Sequence, residues 1–269
     1  MLHRLRRAAA DHWVLGIGLL VLLYLFVPIA VVAAMSFRDA RANAPYTLDN
    51  YRFTLDHWKD PFGVAGIGDA FARSIGIALL ATVVATVLGT LMSFALARHA
   101  FRGRAATNTL IFLPMATPEI VMGSSLLALF VAAGVPLGFW TVVIAHIMFC
   151  LSFVVVTVKA RLAGMDPRLQ EAAMDLYADE RQTFLRVTLP LVLPGIVSAA
   201  LLSFSLSFDD FIVTNFNSGT VVTFPMFVWG ASQRGIPPQI NVIGTAMFLI
   251  SFLIVLIGQL PRLRRRKSV

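Results

Sequence analysis

The sequence has little charge and almost no cysteine. Only 13% of its 269 residues are charged, against roughly 25% in a soluble domain. The single cysteine, Cys150, lies within an apolar run, so a disulfide framework, a zinc cluster or a thiol pair cannot be built within this chain. Apolar residues make up 58% of the sequence, which is typical of a membrane protein.

Long apolar runs are the main positive feature of the chain. A helix that crosses a membrane needs about 20 mostly apolar residues, because about 30 Å of hydrocarbon is crossed at 1.5 Å per residue. Internal backbone bonding requires such a run to be helical. An all-α membrane protein is therefore predicted, one domain of residues 1–269 with about six transmembrane helices at 13–35, 75–96, 109–131, 139–158, 191–211 and 242–260.

Basic residues are distributed unevenly between the two sides of these runs. The side that carries both chain ends holds sixteen Lys and Arg residues, and the other side holds six. Because cytoplasmic connections carry the excess of Lys and Arg, both termini are predicted to be cytoplasmic. This placement accounts for most of the net charge of +8, which argues against nucleic acid as a partner.

The outer connection from 36 to about 71 mixes charges with aromatic residues, namely Tyr46, Tyr51, Phe53, Trp58 and Phe62. Two interpretations stay open. The segment is either a docking surface for a soluble partner outside the membrane or a cap that seats aromatic rings at the interface.

The cytoplasmic connection from 159 to 190 is unusually long, with five basic and five acidic residues. Recurring apolar positions within it predict short amphipathic helices. The connection also contains a spaced motif formed by Glu171, Ala172, Ala173, Val187, Leu189 and Pro190.

In this motif the connection resembles the EAA loop of bacterial ABC-importer permeases, which reads EAA, three residues, Gly, nine residues, Ile, one residue, Leu-Pro. Every interval is reproduced, with Val187 in the Ile place and Tyr177 in the Gly place. Glycine permits a left-handed turn between two helices. At Tyr177 that turn is either kept, at a cost of roughly 1–2 kcal/mol, or reshaped.

The resemblance implies that this coupling loop, with Glu171, Ala172, Ala173, Asp175, Tyr177, Leu189 and Pro190, inserts into a groove of a separate ATP-binding subunit. The sequence has no GxxxxGK[ST] phosphate loop, so nucleotide must be bound elsewhere. The alternative interpretation is an interfacial helix whose alanines only permit close packing and whose Glu171 and Asp175 are solvated surface charges.

Three acidic residues lie in the predicted spans, Glu119, Asp209 and Asp210, and no Lys or Arg accompanies them there. Ionisable groups at such depth usually face a cavity or a partner. Pro114 and Pro118 predict a broken helix at Glu119, which is tolerated only beside protein or water. A substrate path for an organic cation is therefore predicted. The alternative is that Glu119 caps the broken helix, and that Asp209 and Asp210 accept hydrogen bonds from backbone donors or pair with a partner permease.

Two other residue types in the spans have less specific interpretations. His146 is either a neutral imidazole hydrogen-bonded to a neighbouring helix or part of the path, and no metal-ligand cluster accompanies it. Phe204, Phe208 and Phe211 either stack on an ammonium group or pack against lipid.

Three segments also resemble one permease subgroup: PMATPEIVMGSSLLALF, LGFWTVVIAHIMFCLSFVVVTVKARL and SFSLSFDDFIVTNF. They are similar to the spermidine/putrescine-type, PotC-like permeases of the binding-protein-dependent transport family. The resemblance implies a MetI-like helical fold, multi-pass insertion in the bacterial cytoplasmic membrane, and Glu119, Asp209 and Asp210 along the polyamine path. It also implies a second, different permease subunit, two ATP-binding subunits that hold ATP and Mg, and an extracytoplasmic solute-binding protein.

Other functions compete with polyamine import. An importer for an opine, an amino-acid derivative, a phosphonate or iron would share the loop, and an ion-gradient-driven transporter would need no such loop. An intramembrane enzyme is not expected, because no Ser/His pair, HExxH or paired-aspartate motif stands at catalytic spacing. No cofactor or metal is expected on this chain.

Overall fold

A computed structural model describes residues 2–39, 51–166 and 168–266. Tyr46 of the outer connection and Pro167 of the coupling loop lie outside these residues. The described part of the chain is almost entirely helical, with a π-helical segment at Phe184–Thr188 and helices α1 (Leu2–Ser36), α2 (Asp56–Lys59), α3 (Ile67–Arg98), α4 (Arg104–Ala116), α5 (Glu119–Ala132), α6 (Phe139–Ala163), α7 (Arg168–Asp175), α8 (Glu180–Thr183), α9 (Leu189–Asp209), α10 (Ile212–Asn217), α11 (Phe224–Ser232) and α12 (Pro238–Arg266).

Length and composition identify the helices that could cross a membrane. Four described helical stretches qualify: Trp13–Ser36, Ile67–Arg98, Phe139–Ala163 and Glu180–Asp209. The pair α4 and α5, bent by 109°, would make a fifth. The predicted helical membrane class is thus confirmed. The predicted last span overlaps Pro238–Ile254, a shorter apolar helix, and the orientation of the termini stays a prediction.

The chain divides into two compact units, and the first comprises Met1–Ile67 and Gly230–Val269. Within it α1 packs along α12, where the Phe26 and Phe248 rings meet edge to face at 6.3 Å. After α1 the chain forms a short antiparallel bridge between Arg38 and Phe53. Stacked rings lie beside this bridge, because Phe37 is 5.4 Å from Phe53 and 5.3 Å from Trp58. These aromatic residues of the outer connection therefore pack on one another.

The second unit, Gly68–Trp229, is organised around α6. This helix is apolar on most of its circumference, as expected of a helix surrounded by others. It packs against α4, α5, α9 and α10. The residues that α6 contributes to the core include Ala145, Phe149, Cys150 and Val154, all of them buried. The lone cysteine is thus a small apolar core residue, consistent with the usual fate of a free thiol.

A glycine allows α3 to approach α6 closely. A Cβ atom built on Gly89 would lie 2.6 Å from Cγ1 of Val154, closer than packed carbon atoms can come. One turn later the buried hydroxyl of Ser93 lies 2.6 Å from the Gly89 carbonyl and 3.1 Å from the Val155 carbonyl. The hydroxyl therefore stays satisfied at the helix contact, and α6 is held in place for the site that it helps to form.

Candidate functional site

Two breaks in membrane helices form the centre of the candidate site. The first separates α4 from α5. Thr117 adopts an extended backbone before Pro118, the conformation that a following proline favours. The amide of Thr117 still donates to the Leu113 carbonyl at 3.0 Å. Glu119 then opens α5 with its carboxylate at the positive end of the helix dipole, so the predicted break is present.

The second break separates α9 from α10. The helix ends at Asp209, close to the predicted end of this span at Phe211. Asp210 is extended, and its carboxylate accepts from the Thr214 amide at 2.8 Å and from the Val213 amide at 3.4 Å. Asp210 thereby satisfies amides at the start of α10 that have no helical partner.

Asp210 also belongs to a buried polar network with residues of α6, α9 and α10. The Thr214 hydroxyl donates to Asp210 Oδ2 at 2.8 Å. His146 Nε2 lies 3.0 Å from that hydroxyl and 3.3 Å from Asp210 Oδ2, while Nδ1 lies 2.7 Å from the Ser207 hydroxyl. Asp210 therefore satisfies backbone donors, as in the alternative interpretation of Asp209 and Asp210, and it also lies beside His146.

The two breaks border one cavity of about 470 Å³. Glu119 and Asp209 are exposed there, whereas the Asp210 side chain is only 6% exposed. Among the described residues neither Glu119 nor Asp209 pairs with a Lys or Arg. The structure thus brings the three acidic residues to one cavity, and their contact with a substrate stays a prediction. The lining comprises Pro114, Met115, Thr117, Glu119, Met122, Phe149, Phe153, Leu206, Asp209, Asp210, Phe211, Ile212 and Val213.

Of the phenylalanines considered as cation-binding rings, only Phe211 lines this cavity, and it also packs on Trp229 at 5.3 Å. Phe208 is buried against Phe71, with ring centroids 5.8 Å apart. The lining rings Phe149 and Phe153 of α6 were missed in the sequence, because an aromatic residue in an apolar helix gives no signal of which cavity it faces.

The predicted coupling loop folds as two short helices joined by a tight turn. Helix α7 carries Glu171, Ala172, Ala173 and Asp175. After it, the Tyr177 amide donates to the Met174 carbonyl at 2.9 Å and the Ala178 amide donates to the Ala173 carbonyl at 3.1 Å. These two bonds define a Schellman cap, whose C′ position favours glycine.

Tyr177 occupies that C′ position with a φ of +62°. It is the only described residue other than glycine with positive φ. The left-handed turn is therefore kept despite the missing glycine, and the alternative of a reshaped turn is wrong. The Tyr177 side chain is 98% exposed and that of Leu176 is 82% exposed, so within this chain the tip of the loop packs against almost nothing.

The second half of the loop continues directly into α9. Asp179 caps α8 by accepting from the Gln182 amide at 2.6 Å. The π-helical segment follows, and Leu189 and Pro190 begin α9. Arg98 at the end of α3 donates to the Thr188 hydroxyl at 3.2 Å. Arg98 thus connects the coupling loop to α3.

Comparisons with known proteins place the chain in a family. The family model described as "Binding-protein-dependent transport system inner membrane component" matches residues 85–262. The chain is 39% identical to the spermidine/putrescine transport system permease protein PotC of Haemophilus influenzae, over 88% of this chain and 91% of the relative. It is 33% identical to the putrescine transport system permease protein PotI of Escherichia coli, over 87% and 84%.

Solved structures with a similar fold come from other importers. A chain of a bacterial ABC transporter that imports the acidic polysaccharide alginate has a TM-score of 0.65 at 16% identity, over 96% of this chain and 95% of that chain. A chain of the MetNI methionine ABC transporter has a TM-score of 0.55 at 14% identity, over 75% and 98%. This similarity concerns the fold and confirms the MetI-like permease architecture. The family match and the curated relatives show that the chain is an inner-membrane permease that belongs to the binding-protein-dependent transport system inner membrane components.

Proposed function

We propose that this permease translocates a polyamine such as spermidine or putrescine. The similarity to polyamine permeases over nearly nine tenths of the chain is the observation that carries the proposal. The acidic cavity supports it, because Glu119 and Asp209 present negative charge without a described basic partner. A primary ammonium group is a compact cation that such carboxylates attract, whereas an anionic cargo would be repelled.

Each exposed carboxylate should contribute modestly to binding. An ion pair in contact with water contributes about 1 kcal/mol at most, which corresponds to roughly a fivefold change in affinity. Two such groups acting on two ammonium groups of one polyamine would together favour the cation by more than tenfold. The cavity therefore selects cations while it holds them loosely enough to release them.

Transport would depend on subunits that this chain does not contain. In the proposed assembly, a solute-binding protein delivers the polyamine from outside, and a second, different permease completes the path. Two ATP-binding subunits hold ATP and Mg and receive the coupling loop, with Glu171 and Tyr177 at its contact. The exposed loop tip and its direct continuation into α9 support this role, since force applied there is passed to the helix that ends at Asp209.

Uptake of labelled putrescine and spermidine would test the proposal in vesicles that contain the complete complex. The parent chain would be compared with Glu119→Gln and Asp209→Asn, each of which removes a charge and nearly preserves size. We expect the ratio of maximal rate to KM to fall about fivefold in each variant. Asp69→Asn serves as the matched control, because Asp69 is an exposed carboxylate of α3 that does not line the cavity.

Other outcomes would assign the chain differently. Full uptake by both cavity variants would remove the carboxylates from the path. Uptake that persists without ATP but follows an ion gradient would indicate a secondary transporter. Failure to take up either polyamine, with normal ATP-dependent uptake of an opine, an amino-acid derivative, a phosphonate or iron, would overturn the cargo assignment and leave the permease function in place.

A further inference from the structure

The adjacent residues Asp209 and Asp210 differ sharply in their surroundings. Asp209 is exposed beside the cavity, while Asp210 is largely enclosed. The Asp210 carboxylate has polar neighbours for both of its oxygens: the Val213 amide at Oδ1, and the Thr214 amide, the Thr214 hydroxyl and His146 Nε2 at Oδ2. A carboxylate has about four acceptor sites, so Asp210 has little capacity left for a cargo ammonium group.

The partners of His146 determine which ring nitrogen carries a proton. The Thr214 hydroxyl has one proton, and it is directed to Asp210 Oδ2 at 2.8 Å. The same hydroxyl oxygen is therefore an acceptor toward His146 Nε2 at 3.0 Å, and Asp210 Oδ2 is a second acceptor at 3.3 Å. Since both neighbours of Nε2 accept, Nε2 must bear hydrogen. Nδ1 meets the Ser207 hydroxyl, which can donate to it.

The imidazole thus joins three helices around the corner between α9 and α10. It extends from α6, contacts Ser207 in the last turns of α9, and contacts Thr214 in α10. His146 is 1% exposed, and Ser207 and Thr214 are 3% and 1% exposed. Buried polar networks that are fully hydrogen-bonded fix one geometry, because a shifted member would lose its partners away from water.

The far end of α10 is fixed as well. The Asn217 amide group donates to the Gly123 carbonyl of α5 at 3.2 Å, and the Thr141 hydroxyl donates to the Asn217 carbonyl at 2.7 Å. Both ends of α10 are thus held, and the hydrogen bonds of Asp210 hold the corner that precedes it, next to Asp209. Consecutive Cα atoms are only about 3.8 Å apart, so a shift of Asp210 displaces Asp209 with it.

We propose that His146 is a positioning residue for transport, which holds Asp210 in the corner between α9 and α10 and thereby directs Asp209 into the cavity. This inference rests on the proposed function for its consequence in transport, although the geometry of the corner does not depend on the cargo. The two carboxylates then have separate roles. Asp209 contacts the cation, and Asp210 determines the position of Asp209.

Cysteine labelling would test the geometry without reference to transport. In a Cys150→Ala background of the assembled complex, Asp209→Cys provides a thiol at the cavity for a cationic methanethiosulfonate reagent. Adding His146→Leu should change the labelling rate at least about fivefold, because the corner loses its fixed geometry. His146→Gln, which keeps an amide donor at similar reach, should leave the rate within about twofold. An equal rate in all three proteins would overturn the inference.

Uptake kinetics would test the consequence. Relative to the parent, His146→Leu should raise the KM for putrescine by up to about fivefold, the loss expected for Asp209→Asn, with a smaller effect on maximal rate, and His146→Gln should restore most of the loss. The effects of His146→Leu and Asp210→Asn should be non-additive, because the two residues act through one contact. Additive effects at normal complex levels would mean that His146 does not act through Asp210.

Removal of one partner of a buried pair can prevent folding. If His146→Leu alone does not accumulate, the double variant with Asp210→Asn removes the unpaired charge and is compared with Asp210→Asn alone. Equal labelling rates would support action of His146 through Asp210, and a further change would overturn it. The inference and the proposed function fail in different ways. Full uptake by Asp209→Asn would contradict the acidic path, whereas the labelling result would still establish or overturn the positioning role.

Discussion

Tyr177 provides the sharpest test of the coupling-loop structure, because it occupies a backbone conformation that favours glycine. Its φ of +62° lies in the left-handed region, which costs a residue with a Cβ atom roughly 1–2 kcal/mol. Glycine avoids that cost but loses more backbone entropy on ordering, about 0.5–1 kcal/mol. The side chain is 98% exposed, so almost no packing is lost. Tyr177→Gly should therefore stabilise the turn by about 0.5–1 kcal/mol.

Hydrogen exchange of the purified complex would measure this change at the amides of Tyr177 and Ala178, which form the Schellman cap. A gain of that size corresponds to about two- to fivefold slower exchange through local opening. Tyr177→Ala is the matched control, because it removes the ring and keeps the Cβ atom. Faster exchange in the glycine variant, or an equal gain in the alanine variant, would refute the assignment of strain to the backbone.

Two further predictions concern coupling and packing. Glu171→Lys reverses a charge on the exposed face of α7 and should abolish ATP-driven uptake while the complex keeps its thermal stability. Glu171→Gln, which only removes the charge, should have a smaller effect on uptake. Normal coupled uptake by the Glu171→Lys variant would exclude this residue from coupling. Gly89→Ala places a Cβ atom 2.6 Å from Cγ1 of Val154 and should destabilise the protein by about 1–3 kcal/mol. The measurement is the unfolding temperature in detergent, which should fall. An unchanged unfolding temperature would show that α3 and α6 can separate at no cost in stability.

The helical membrane class could be predicted because a continuous apolar run of about 20 residues satisfies its backbone groups within one segment in lipid only as a helix. The break before Glu119 was also predictable, since Pro118 restricts Thr117 to an extended conformation. The two helices of the coupling loop followed from its recurring apolar positions. In each case the relevant information is local in sequence or follows from a general property of the bilayer.

The partnership of Asp210 with His146 could not be predicted in the same way. The two residues belong to different helices, and their contact depends on how α6 packs against α9 and α10. An apolar helix with one histidine gives no indication of the direction in which that histidine points. The backbone conformation at Tyr177 could not be predicted either. The sequence shows that glycine is missing, but it does not show whether the hydrogen bonds of the Schellman cap outweigh the strain of a positive φ at tyrosine.

The continuity of the helix after the coupling loop has a mechanical consequence. Glu180 to Asp209 form one stretch of 30 residues, a rod about 45 Å long, with the π-helical segment near one end and the cavity carboxylate at the other. The π-helical segment and Pro194 are the points of this stretch at which a helix can bend. A tilt imposed near Glu180 would therefore reach Asp209 in full only while both points stay straight. Movement of the proposed coupling loop and movement of the carboxylate at the cavity would then be linked through one helix.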